Sequence, residues 1–166
     1  MSKKLLILST DSEHYTDLYT DVCDAADETV EEEKAIDILL DKESMQRELT
    51  DVFVERRGSS FNINLTFDDG YFVVAKAVPM PKQVYAVVWW RAYGRVSFGI
   101  KGKTDSEETA IKILDKYVGR HLKEKNGFDL YDYAKGDRFV LADDECSGEF
   151  QMLKVLKLKE ELYRDY

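Results

Sequence analysis

The chain has 166 residues, and its 24 Lys and Arg against 33 Asp and Glu give a formal charge of −9. At 44% hydrophobic and 12% aromatic residues with two prolines, this is the composition of a folded chain and excludes a disordered tail. The longest apolar runs, Leu5 to Leu8 and Ala86 to Trp90, are too short to span a bilayer.

Lys3 to Ser9 reads as a short buried strand ended by the polar cluster Thr10-Asp11-Ser12. Beyond it Tyr15, Leu18, Tyr19, Val22 and Ala26 recur at helical spacing, which predicts an amphipathic helix capped by Asp11 or Ser12. At 100° per residue, Glu13, Asp17, Asp21, Asp24 and Glu28 fall within about 80° on its opposite side, a carboxylate stripe about 22 Å long. Thr29 to Asp41 predicts a second helix, entered through the acidic turn Glu31-Glu32-Glu33.

From Thr50 the period changes to 2, with Val52 and Val54, then Phe61, Ile63, Leu65 and Phe67, alternating with polar neighbours. Asp69-Gly70 predicts a hairpin between Phe61 to Phe67 and Tyr71 to Val78. Pro79-Met80-Pro81 breaks that ladder, because neither proline donates a backbone hydrogen bond. Gln83 to Trp90 and Arg95 to Lys101 form a second predicted hairpin around Ala92-Tyr93-Gly94. Thr104-Asp105-Ser106-Glu107 has capping-box spacing and opens a helix over 105–125, closed by Asn126-Gly127, with Ala110, Ile111, Leu114, Tyr117, Val118 and Leu122 on its core face. A short segment with Tyr131 and Tyr133 precedes a C-terminal hairpin over 137–158, and no internal repeat is visible. The fold expected is a single α+β domain over 1–166: an acidic, mainly helical 11–55, antiparallel strands over 50–103, and one sheet of about five to seven strands with two or three helices on one face.

Charge is regional. Residues 11–55 carry 16 acidic side chains against Lys34, Lys42 and Arg47, a local charge of −13, whereas residues 76–125 carry eleven basic against five acidic. A dipolar chain of this kind suits charge-directed contact.

Motifs for catalysis are thin. Ser9-Thr10-Asp11-Ser12 has no glycine to let a backbone approach a phosphate. His14, beside Asp11 and Glu13, reads as an exposed histidine at a helix start, and His121 as a hydrogen-bonded histidine at a core edge. Asp143-Asp144-Glu145-Cys146 lacks the spacing of a calcium loop, and Asp68-Asp69 with Lys76 lacks the nuclease pattern, the residues there being Val74-Ala75-Lys76. Acidic neighbours raise the Cys23 thiol out of nucleophile range, and Cys23 with Cys146 makes neither a disulfide framework nor a metal quartet. No cofactor or metal is expected, nor a catalytic residue.

Two surfaces remain. The leading expectation is a non-enzymatic interaction protein in which Glu13, Asp17, Asp21, Asp24, Glu28, Glu31 and Glu32 bind the basic surface of a partner, in the manner of a phage- or mobile-element-type inhibitor that imitates nucleic acid. The partner is then a nucleic-acid-binding protein. The alternative is a single-stranded RNA or DNA binder using Trp89, Trp90, Arg91, Tyr93, Arg95 and Lys101, and a third reading is a small metal-dependent hydrolase or nuclease. With no charged-then-apolar leader at the start, the expected location is the cytoplasm, or the host cytoplasm for a phage protein, with no membrane partner.

Overall fold

The computed structural model describes residues 3–25, 28–42, 47–92, 96–123, 129–131, 139–144 and 149–158. The chain divides into two compact units, Met1–Met80 and Pro81–Tyr166, at the predicted Pro79-Met80-Pro81 break. Each carries a five-stranded antiparallel sheet with a helix on one face, so the fold is α+β, and the single sheet expected is two.

The N-terminal unit runs β1 (Lys3–Asp11), β2 (Tyr19–Ala25), α1 (Glu28–Lys42), β3 (Leu49–Arg57), β4 (Ser60–Phe67) and β5 (Phe72–Pro79), with strand order β2-β1-β5-β4-β3. Alternation builds its core: Phe61, Ile63, Leu65 and Phe67 of β4 and Val73, Ala75 and Ala77 of β5 are buried on one face with Leu5 and Ile7 of β1. The small Ala77 and Ala75 lie opposite the large Phe61 and Ile63, which levels that face for the helix. Helix α1 closes it with Glu31, Ala35 and Leu39, buried at a spacing of four, so its buried row includes a carboxylate. Burying Leu39 alone contributes about 2 kcal/mol. In the predicted turn Gly70 has φ 86°, the left-handed region where a side chain is strained, and Tyr71 donates its backbone N–H to Asp69 Oδ1 at 3.1 Å.

The C-terminal unit runs β6 (Tyr85–Ala92), β7 (Ser97–Thr104), α2 (Glu107–Tyr117), a π-helical turn (Val118–Lys123), β8 (Asp129–Tyr131), β9 (Phe139–Asp144) and β10 (Glu149–Lys157), in the order β7-β6-β10-β9-β8. Ser106 caps α2 by accepting the Thr109 N–H at 3.3 Å, and Ala110, Leu114 and Val118 pack on Tyr85, Val87, Leu153 and Val155. The register shift between Val87 and Val88 makes Lys101 the extra residue of β7. Beside it, a Cβ on Gly102 would lie 2.9 Å from Ile113 Cδ1, so glycine there permits the approach of α2.

Both units follow one plan: two strands, a helix, three strands, and equivalent strand orders. The sequence shows no repeat because topology is kept by hydrophobic alternation and helix placement, which many unrelated residues satisfy.

The largest correction concerns residues 12–26. The helix expected there is absent; Tyr19–Ala25 is β2, paired antiparallel with β1 from Ser9↔Tyr19 to Lys3↔Ala25. Tyr19, Asp21 and Cys23 alternate as well as they recur helically, and the run is rich in β-branched and aromatic residues. Pairing with β1 satisfies its backbone and buries Cys23, which a lone amphipathic helix would not match. The second predicted helix is α1 and the later hairpins lie where the pattern puts them, whereas the helix expected over 105–125 is α-helical over Glu107–Tyr117, passes into the π-helical turn Val118–Lys123, and is capped by Ser106, not Thr104. Tyr93, Arg95, the Asn126-Gly127 stop, Tyr133 and the Glu145-Cys146 turn lie outside the described residues, as does the His121 side chain. Among the described residues no helix is long and apolar enough to cross a membrane.

Candidate functional site

Without a helix over 12–26, the carboxylate stripe does not exist as a row. Glu13 and Asp17 lie in the β1–β2 connection, Asp21 is 4% exposed on the core side of β2, and Asp24 is exposed on the same strand. Glu28 begins α1, and its side chain is outside the described set. Glu31 is 2% exposed and accepts from Arg56 at 3.0 Å, and Glu32 accepts from the same guanidinium at 3.1 Å. Both therefore fasten α1 to β3. Glu13, Asp17 and Asp24 are the predicted residues that stand exposed, and α1 adds the outward row Glu33, Asp37 and Asp41.

The tryptophan strand separates as alternation requires. Trp90 is fully buried, and Trp89 packs toward α2, donating Nε1–H to Gln151 Oε1 at 2.7 Å. The bulge aims Lys101 over it: Nζ lies 4.6 Å from the Trp89 ring centroid and 5.3 Å from that of Tyr117. One face of Trp89 is thus already covered by a cation. Arg91 is exposed nearby.

A cleft of about 550 Å³ opens in the N-terminal unit at the end of β1. Its floor is set by register: Ser9 lies opposite Tyr19 and Asp11 opposite Val73, on the face that carries Leu5 and Ile7 farther along. Leu39 of α1, Arg47, Tyr71, Glu13 and His14 form its sides. Asp11 organises the loop. Its Oδ1 accepts the backbone N–H groups of Glu13 at 2.9 Å and His14 at 2.7 Å and lies 3.2 Å from His14 Nδ1, while Thr10 Oγ1 donates to the His14 carbonyl at 2.9 Å. Because a carboxylate only accepts, Nδ1 carries the proton in this contact.

Arg47 closes the other side. It donates Nε–H to Asp69 at 2.8 Å and Nη2–H to Glu13 at 2.9 Å, with its guanidinium carbon 3.8 Å from the Tyr71 ring centroid. The Asp69 hydrogen bond holds the guanidinium more firmly protonated, and the same bond, with the Tyr71 N–H, holds the Asp69 carboxyl below its ordinary value. The group remains net acidic, with Asp11, Glu13 and Asp69 around one arginine.

An imidazole oriented by a carboxylate is half of an acid–base apparatus. The nucleophile of such an arrangement would be Ser9, but no hydrogen bond joins its hydroxyl to His14 among the described residues. Nor, among the described residues, do three or more His, Cys, Asp or Glu side chains gather as a metal site. Asp68 and Asp69 serve the turn and the Arg47 clamp, and burial pushes the Cys23 thiol up. Sequence reasoning passed over Ser9 and Tyr19 because an expected helix hid the hairpin that unites them; the signal available was Asp11 three residues before His14 at a strand end.

Comparison with known proteins returns no match to any family model, curated protein or solved structure.

Proposed function

We propose that the protein is a non-enzymatic docking protein whose acidic N-terminal unit binds a basic surface of a partner protein. The observation that carries this reading is the partition of charge at the unit boundary. Eighteen carboxylates against eight basic side chains put residues 1–80 at −10, and fifteen against sixteen put residues 81–166 at +1. Acidity is a property of one folded unit, and Asp17, Asp24, Glu33, Asp37 and Asp41 point out of it. Exposed Tyr15 and Tyr19, each 37% exposed beside Glu13, supply the aromatic contact area typical of interfaces. A partner that handles nucleic acid fits this charge, and occupying its basic surface would inhibit it.

The test is capture of partners by the full chain and by the Asp17→Lys, Asp24→Lys, Asp37→Lys variant, which spares buried Asp21. Wild type should retain a basic protein that about 0.5 M salt releases, and the variant, folded by circular dichroism, should not. Equal retention at equal salt would overturn the reading.

A further inference from the structure

Ser9 lines the cleft, and its hydroxyl, with no hydrogen-bond partner among the described residues, opens onto it. Two residues on, the three contacts of Asp11 all use Oδ1, and Oδ2 has no described partner either. On one strand face such residues lie roughly 7 Å apart. An oxygen pair therefore faces a cavity of about 550 Å³, far larger than a metal ion needs, with the Tyr19 ring and the apolar Val73 and Leu39 around it.

The same unit shows which chemistry such surroundings hold. Arg47 is seated by Glu13 and Asp69 over the Tyr71 ring, and Arg56 by Glu31 and Glu32 with its guanidinium carbon 4.8 Å from the Phe61 centroid. Both are planar guanidinium groups between carboxylates and an aromatic face. We infer that the free half of the cleft is the seat for an arginine side chain presented by the docking partner, an assignment that rests on the docking reading. The guanidinium donates to Asp11 Oδ2 and Ser9 Oγ and stacks on Tyr19, while its methylene stem lies on Leu39 and Val73. An ammonium group matches this seat less well, because it has no planar face to stack and no fork of donors to spread over two separated acceptors.

The test uses the peptides acetyl-Gly-Arg-Gly-amide and acetyl-Gly-Lys-Gly-amide, titrated into the full chain and followed by backbone amide NMR. The arginine peptide should give saturable shifts at Ser9, Tyr19 and Val73, with the lysine peptide several-fold weaker. Asp11→Asn keeps an acceptor for the loop N–H groups but removes the charge, and should weaken arginine binding roughly tenfold, the loss of one charge-assisted hydrogen bond. Ser9→Ala leaves the loop untouched and should weaken it less, and Glu108→Lys, at an exposed side chain of α2, should change little. Equal response to both peptides, shifts elsewhere, or indifference to Asp11→Asn and Ser9→Ala would overturn the assignment. If the peptides fail while partner capture still depends on the outer carboxylates, the arginine seat falls and the docking reading stands. If the peptides bind while capture is indifferent to those reversals, the converse holds.

Discussion

The Arg56 guanidinium donates to Glu31 Oε2 at 3.0 Å, and the Glu31 side chain is 2% exposed. Removing the arginine strands a carboxylate in the core. Arg56→Ala should therefore cost about 3 kcal/mol, seen as a lowered urea midpoint, whereas Arg57→Ala, at a side chain 73% exposed, should cost under about 0.5 kcal/mol. Equal losses would mean that the Arg56 pair does not hold α1 on the sheet.

Gly102 tests the packing of α2. A methyl group there meets Ile113 at 2.9–3.0 Å, so Gly102→Ala should destabilise by about 1–3 kcal/mol, and Ile113→Ala in the same chain should recover part of that loss. Strict additivity of the two changes in thermal unfolding would argue that they do not touch.

Acid should open the Arg47 clamp. The folded pKa of Asp69 is depressed, chiefly by Arg47, so its contribution is present above the ordinary carboxylate value of about 3.9 and is lost as pH falls through the lower folded value. Asp69→Asn should flatten the acid limb of the stability curve below about pH 4. An acid limb identical to wild type would show that the clamp does not contribute.

Oligonucleotides should leave tryptophan fluorescence unchanged even at low salt, because Trp90 is buried and Lys101 covers a face of Trp89. Quenching that Arg91→Ala abolishes would restore the single-strand-binding alternative for the C-terminal unit.

Cys23 should resist thiol reagents in the native state, since it is 2% exposed and burial raises its pKa. In a Cys146→Ser background its labelling should follow unfolding; fast labelling under native conditions would contradict the β1–β2 pairing.

Local chemistry was readable in the amino-acid sequence wherever it was decided within a few residues. Asp69-Gly70 specified its turn, Thr104-Asp105-Ser106-Glu107 the start of a helix to within two residues of its Ser106 cap, Pro79-Met80-Pro81 the end of a ladder, and period-2 alternation from Val52 onward the strands β3 to β5, because backbone sterics and one-sided burial act over those distances. The acidity of the first third was equally plain, since charge needs no fold to be counted. Tertiary structure alone decided that β1 pairs with β2 and β5 and that the hairpins join into two sheets, and with that the make-up of the candidate site. Residues 19–25 satisfy both helical and strand periods, and only the open edge of β1 resolved the choice, turning Asp21 inward and dissolving the expected stripe. The same pairing set Ser9 opposite Tyr19 and Asp11 opposite Val73, so the cleft comes from hydrogen bonds between segments distant in sequence, which no local pattern encodes.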